Sequence, residues 1–238
     1  MTLRLGLFGA SGRLGRAIVG LAVRDPEVSV VGAWTHASSK ALGERVHGIL
    51  LQLATPEIDV DGYIDVSIPI GLEERLGIAL QNKRPFILGT TGLEPSDQAL
   101  LEAAARHIPL LYAANFSLGM ALLHKLARDA ARLFYPHADI DLVETHHTQK
   151  KDAPSGSARL LARGIQQAHP EGKAPTIHSI RSGAVVGDHE LRFNVAEEQL
   201  TLRHQAHSRD VFARGALLAA RFLKGKAPGL YGMEQLFS

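Results

Sequence analysis

The residue types best suited to chemistry gather in one run, ETHHTQKKDAPSGSA, from Glu144 to Ala158. His146 and His147 supply imidazoles, Lys150 and Lys151 supply ammonium groups, and Pro154, Ser155, Gly156 and Ser157 make a turn that opens a helix. A helix start leaves backbone N–H groups unpaired and carries partial positive charge, so it favours anions. Neighbouring cations and hydroxyls add charge-assisted hydrogen bonds. The combination fits a carboxylate-bearing ligand, and a merely polar surface loop is the competing reading. A metal centre needs several converging ligands, whereas adjacent His146 and His147 point apart on a strand and the lysines repel a cation; no metal ligand is assigned.

A second run, GASGRLG from Gly9 to Gly15, spaces its glycines as GxxGxxG between an apolar stretch and a helical pattern. Glycines there let backbone N–H groups approach a pyrophosphate at the helix N-terminus. Ser11 replaces the second glycine of the commoner GxGxxG spacing, Leu14 begins the helical spacing, and Arg13 is free to face a phosphate. A turn that binds nothing is the alternative. Dinucleotide folds usually place an acidic residue after the second strand to hold the ribose hydroxyls. Here that stretch reads GAWTHASSK, Gly32 to Lys40. His36, Ser38, Ser39 and Lys40 suit a 2′-phosphate better than a bare diol, which favours NADPH at least as much as NADH; a solvated loop is the other reading. Gly89, Thr90, Thr91 and Gly92, and likewise Asn115, Phe116 and Ser117, follow strands at the end where such sheets bind ligands. Their hydroxyls and backbone groups can orient a nicotinamide ring, though each alone is an ordinary turn or cap.

Strands must alternate with helices to hold these loops. Apolar runs at Leu3–Phe8, Val28–Ala33, Tyr63–Val66, Phe86–Leu88 and Leu110–Ala113 alternate with helical spacing at Arg13–Val23, Leu72–Gln81 and Asp97–Arg106, the last opened by Pro95 and Ser96. That alternation predicts an α/β, doubly wound parallel sheet. Beyond Asn115 the pattern changes to a helix over Gly119–Phe134, capped by Ser117, a strand over Asp139–Glu144 and a helix from Ser157. Strands then follow without helices at Ile177–Arg181, Glu190–Asn194 and Gln199–His204, which predicts a second, α+β domain with a mainly antiparallel sheet. A last helical face, Val211 to Phe222, returns to the first domain. With 26 Lys and Arg against 24 Asp and Glu, the net charge of +2 gives no case for nucleic acid or a membrane surface. No cysteine is present, which excludes disulfides and thiolate chemistry and fits a reducing cytoplasm. No signal peptide or membrane span is predicted.

The central run resembles the signature of the dihydrodipicolinate reductase family, ExHHxxKxDxPSGTA, with Ser157 keeping the hydroxyl of the usual Thr. Further landmarks occur in the family's order: GASGRLG, IDVSIP (Ile64–Pro69), GTTG, AANFSLG (Ala113–Gly119), SGAVVGDHELRF (Ser182–Phe193) and HSRDVFARGALLAA (His207–Ala220). The chain departs from the family in lacking an acidic residue near His36 and in being shorter between His47 and Tyr63. The resemblance implies a Rossmann-type dinucleotide-binding domain over residues 1–117 and 209–238, and a substrate-binding and oligomerisation domain over 118–208. It implies NADPH or NADH bound by Gly9, Ser11, Gly12, Arg13, Leu14 and Gly15, by His36, Ser38 and Lys40, and by Ser67, Gly89, Thr90, Thr91, Ala113, Asn115 and Phe116.

By the same resemblance the substrate is a small cyclic dicarboxylate, 4-hydroxy-tetrahydrodipicolinate or its dehydrated form, reduced by hydride in lysine and diaminopimelate biosynthesis. Lys150 then delivers the proton with help from His146, while His147, Ser155, Gly156 and Ser157 hold the carboxylates. General acid catalysis of this kind is worth about 10² to 10⁴ in rate. The expected setting is a cleft between hinged domains, in a cytoplasmic homotetramer. An aspartate dehydrogenase-like imino acid reductase and a non-catalytic redox sensor are the alternative functions. HHxxK paired with PSGS argues against the first, and the lack of a DNA-reading helix or basic stripe against the second.

Overall fold

A computed structural model describes residues 2–55, 58–134 and 138–237. The chain divides into two compact units, Met1–Phe116 with Asp210–Ser238, and Ser117–Arg209.

The first unit runs β1 (Leu3–Phe8), α1 (Arg13–Ala22), β2 (Val28–Trp34), β3 (Arg45–Val46), β4 (Ile49–Gln52), β5 (Gly62–Asp65), α2 (Leu72–Gln81), β6 (Phe86–Leu88), α3 (Pro95–Ala104) and β7 (Pro109–Tyr112). The second runs α4 (Leu118–Phe134), β8 (Asp139–His146), α5 (Gly156–Ala168), β9 (Thr176–Arg181), β10 (Gly187–Asn194) and β11 (Gln199–Ala206). The chain then returns to the first unit with α6 (Asp210–Leu223), β12 (Gly229–Tyr231) and a 3₁₀ turn over Met233–Phe237.

The first sheet is ordered β12-β7-β6-β5-β1-β2-β4-β3, and its pairs are parallel except β3 with β4. Strands of such a sheet are covered on both faces and read as continuous apolar runs, which is why β1, β6 and β7 are legible. Strand order reverses between β1 and β5, so the loops after those strands flank the crevice where doubly wound sheets take ligands. Phe8, Trp34, Tyr63 and Phe86 are buried together, with Phe8 and Trp34 ring centroids 4.7 Å apart. α6 packs on α1 and across β5, β6 and β7; its Gly215 lies so close to the Phe116 carbonyl that a side chain there would collide with it. Helix α3 opens at Pro95, where Glu94 and Asp97 form a reciprocal capping box, and ends at Ala104 rather than Arg106. Strands β3, β4 and β12 are additions to the predicted set, short edge pieces that no flanking helical pattern marks out.

The second sheet is ordered β11-β10-β8-β9, antiparallel except for β8 with β9. Leu123 and Ala127 of α4 and Leu161 and Ile165 of α5 cover one face of it, against Leu142, Leu191 and Phe193. The Ser117 hydroxyl accepts a hydrogen bond from the Met120 N–H at 3.2 Å, capping α4, and lies 3.1 Å from His204 Nε2. β8 is longer than its apolar pattern predicts and ends at His146 rather than Glu144. Its buried face carries Ile140, Leu142, Glu144 and His146 in succession, so the line of core residues continues into a carboxylate and an imidazole.

Candidate active site

Burying a carboxylate is costly unless every lone pair is satisfied. Glu144 is fully buried and meets that condition. One oxygen accepts from Arg181 Nη2 at 2.9 Å and from the Ser155 N–H at 3.3 Å; the other accepts a short bond from His146 Nδ1. Burial pushes the Glu144 carboxyl up, but hydrogen bonds from Arg181, Ser179 and His146 outweigh it and leave it below the usual carboxylate range. The ionised carboxylate can only accept, so Nδ1 of His146 carries a hydrogen and Nε2 is the nitrogen left to act. Burial lowers the His146 pKa, Glu144 opposes that, and the charges of Lys150 and Arg181 add to it. His189, reached from β10, stands edge-on to His146 with ring centroids 5.1 Å apart. Burial first, and then the neighbouring His146, push it from 6.5 to about 4, so it is neutral at physiological pH.

The rest of the run surrounds this pair. Ser155 caps α5: its hydroxyl accepts from the Ala158 N–H at 3.1 Å and lies 3.4 Å from His189 Nε2. That hydroxyl is therefore engaged within the protein. Gly156, by contrast, is exposed, and a Cβ added there would meet nothing within 4 Å. Ser157 follows it, half-buried. Lys150 Nζ pairs with Asp152 at 2.9 Å, and the Lys150 N–H donates to the His147 carbonyl at 3.1 Å. His147 lies apart from the buried pair, its Nε2 3.3 Å from Arg209 Nη2.

Convergence that the run alone does not offer comes from His189. Glu144, His146 and His189 bring one ligand atom each to within 4.8 Å of one another. Glu144 is already held by Arg181, by the Ser155 N–H and by His146, so a cation there would compete with the Arg181 guanidinium for the carboxylate.

In the first unit the glycine turn is built by close approach. Gly9 has φ +79° and sits against the backbone of Val66 and Ser67, where a Cβ would come within 2.7 Å of the Ser67 nitrogen. Gly15 packs on the carbonyl of Gly9, and a Cβ would lie 2.7 Å from Ala10 Cα. α1 opens at Gly12 without a side-chain cap, Arg13 is exposed and Leu14 half-buried. Backbone N–H groups and a shape that only glycine fits make a phosphate cradle. The Ser11 and Thr35 hydroxyls stand 2.8 Å apart where a ribose-binding acid would be sought. His36, Ser38 and Lys40 are exposed, with His36 Nδ1 2.9 Å from Ser38 Oγ. Ser67 donates to the buried Asp65, which Arg75 pairs at 2.7 Å. Gly89 lies under the Phe116 ring, Ala113 is buried and bonded to the Leu88 carbonyl at 3.0 Å, and Asn115 and Thr91 border the same strand ends. The Thr90 hydroxyl is buried and has no partner among the described residues, as a group awaiting a ligand's amide would be.

Residues 3–116 match the family profile for the dihydrodipicolinate reductase N-terminus, and residues 119–237 match that for its C-terminus. The chain belongs to the dihydrodipicolinate reductase family. A 4-hydroxy-tetrahydrodipicolinate reductase of Stenotrophomonas maltophilia (strain K279a) is 42% identical over 98% of this chain and 97% of its own. One from Xanthomonas campestris pv. campestris (strain B100) is 41% identical over 97% and 95%. The fold of a dipicolinate-bound dihydrodipicolinate reductase from Paenisporosarcina sp. TG-14 superimposes with a TM-score of 0.82 at 24% identity, covering 99% of both chains. Within this reductase fold, reading the sequence passes over Glu144, Arg181 and His189 as site residues. Glu144 has a local signal, its i, i+2 spacing from His146 on one strand; His189 lies inside the SGAVVGDHELRF landmark and Arg181 directly before it, but nothing in the sequence ties either to Glu144.

Proposed function

We propose that the protein uses NADPH or NADH to reduce 4-hydroxy-tetrahydrodipicolinate, or the dihydrodipicolinate formed by its dehydration, to tetrahydrodipicolinate in lysine and diaminopimelate biosynthesis. The observation that carries this reading is the grouping, in one unit, of the buried Glu144–His146 pair with Lys150 and the open start of α5. When bound, the nicotinamide supplies a hydride. Reduction of the ring's conjugated imine leaves an electron pair that must be protonated. The Lys150 ammonium donates that proton while neutralising the charge that develops, with His146 assisting. The ring carboxylates are held by His147, by the Gly156 and Ser157 N–H groups and by the Ser157 hydroxyl, with Ser155 setting the turn. The nucleotide's pyrophosphate sits on the Gly9–Gly15 turn, its 2′-phosphate faces His36, Ser38 and Lys40, and its nicotinamide is met by Ser67, Gly89, Thr90, Thr91, Ala113, Asn115 and Phe116. The assembly is a homotetramer, which sedimentation would confirm or replace.

Loss of nicotinamide absorbance tests the activity in three parallel reactions. Freshly prepared 4-hydroxy-tetrahydrodipicolinate should support turnover, and neither oxaloacetate with ammonia nor buffer alone should. Turnover with oxaloacetate and ammonia would make the protein an imino acid reductase. Nucleotide binding without any turnover would make it a sensor.

A further inference from the structure

Glu144 is named by the central motif, yet the proposed reaction gives it no task. It is also held by three hydrogen bonds. It is wholly buried and placed by β8 on the same face as His146. Arg181 of β9 binds one oxygen at 2.9 Å, the Ser155 N–H at the start of α5 joins it at 3.3 Å, and His146 Nδ1 takes the other oxygen. Arg181 is itself anchored, donating to the carbonyls of Asp152 at 2.5 Å and Ile180 at 2.7 Å. A carboxylate locked from one side has a single way to meet an imidazole on the other. We infer that Glu144, clamped by Arg181, is a positioning residue that fixes the ring orientation and tautomer of His146 so that Nε2 serves the proton path; the inference rests on the reductase reading given above.

The surroundings of His146 fit this role from every side. Lys150 lies in the loop after β8 and Arg181 on β9, and both charges disfavour a second cation. Glu144 alone among the neighbours favours the imidazolium. His189 of β10, beside Asp188 and His204, is held neutral and so adds no repulsion. His189 also fills the space edge-on to the His146 ring, which limits its rotation. Carboxylate–imidazole pairs of this geometry are the usual means of selecting one tautomer, and loss of the carboxylate presents the wrong nitrogen.

Two measurements test it. In histidine-selective ¹⁵N NMR spectra of the wild-type protein, His146 should be Nδ1-protonated at neutral pH; an Nε2-protonated tautomer overturns the inference without any variant. Glu144→Gln should lower kcat by at least about tenfold with nucleotide affinity unchanged, and should move the pH limb of kcat down by about one unit, because the imidazolium loses its stabilising charge. Arg181→Lys, which keeps the cation but not the fork, should give an intermediate loss. Should both variants fold and keep the wild-type pH limb and tautomer, Glu144 is structural only and the inference fails. Failure of the wild-type protein to reduce 4-hydroxy-tetrahydrodipicolinate would instead sink the reductase reading and leave the NMR result standing.

Discussion

The helix starts of α1 and α5 each offer backbone N–H groups to an anion, but they are made by opposite means. α1 relies on shape. It has no side-chain cap, and Gly9 and Gly15 are pressed against backbone so that any side chain would collide. α5 relies on polar support. Ser155 caps it, a buried carboxylate takes the Ser155 N–H, and open space surrounds Gly156. A site made by shape can bind a ligand but has no group to titrate; a site backed by Glu144, His146 and Lys150 can also move a proton. In the proposed function, binding and acid–base chemistry are thus divided between the two openings.

The sharpest way to break this division is at Lys150. Lys150→Met should lower kcat by about 10² to 10⁴ while leaving NAD(P)H affinity, measured by fluorescence titration, nearly unchanged. Weakened nucleotide binding with intact turnover would move Lys150 to the other opening. Next comes acid sensitivity. His189 is held at about 4 in the folded protein against 6.5 when unfolded, so the unfolded chain binds the extra proton between those values. The contribution is whole above pH 6.5 and is lost as the pH falls towards 4, amounting to roughly 3 kcal/mol. Denaturant titrations across that range should show a shallower pH dependence in His189→Gln than in the wild type; parallel curves would rule the burial effect out.

A matched pair of glycine substitutions sharpens the contrast further. Gly15→Ala should cost about 1–3 kcal/mol of stability, because the methyl meets backbone that cannot yield. Gly156→Ala should leave stability within about 0.5 kcal/mol and raise only the substrate KM, because the methyl occupies space a carboxylate would use. Thermal melts of both, with KM for the second, decide it, and equal destabilisation would remove the distinction. The smallest effect belongs to Lys40→Ala, expected to weaken NADPH binding by about 3- to 10-fold without touching NADH. Equal loss of both nucleotides would detach Lys40 from the 2′-phosphate.

The same difference explains what could be read from the residues alone. The order of strands and helices is legible because buried parallel strands are apolar throughout and amphipathic helices repeat, and α2 and β6 are found at their predicted bounds. β3, β4 and β12 are equally short but stand outside the strand–helix alternation that marks β6, so nothing frames them. The glycine turn is legible for a related reason: steric exclusion is written as a residue type. Glu144 stands in the readable motif, but its purpose depends on Arg181 and His189, which arrive on β9 and β10. Cross-strand register brings them there, and register is set by the whole sheet. The end of β8 is hidden for a related reason, since a strand that turns polar on its buried face no longer alternates by hydrophobicity.

The close seat of Gly215 on the Phe116 carbonyl has a consequence for biosynthesis. Helix α6 shields β5, β6 and β7, yet it is made only after the whole of Ser117–Arg209. A chain emerging from the ribosome therefore holds the nucleotide-binding sheet partly uncovered while the intervening unit is translated, and that unit can acquire its own core first. Release of the C-terminal segment is the event that seals the earlier half, so ribosome-stalled chains ending before Asp210 should be protease-sensitive in their first hundred or so residues.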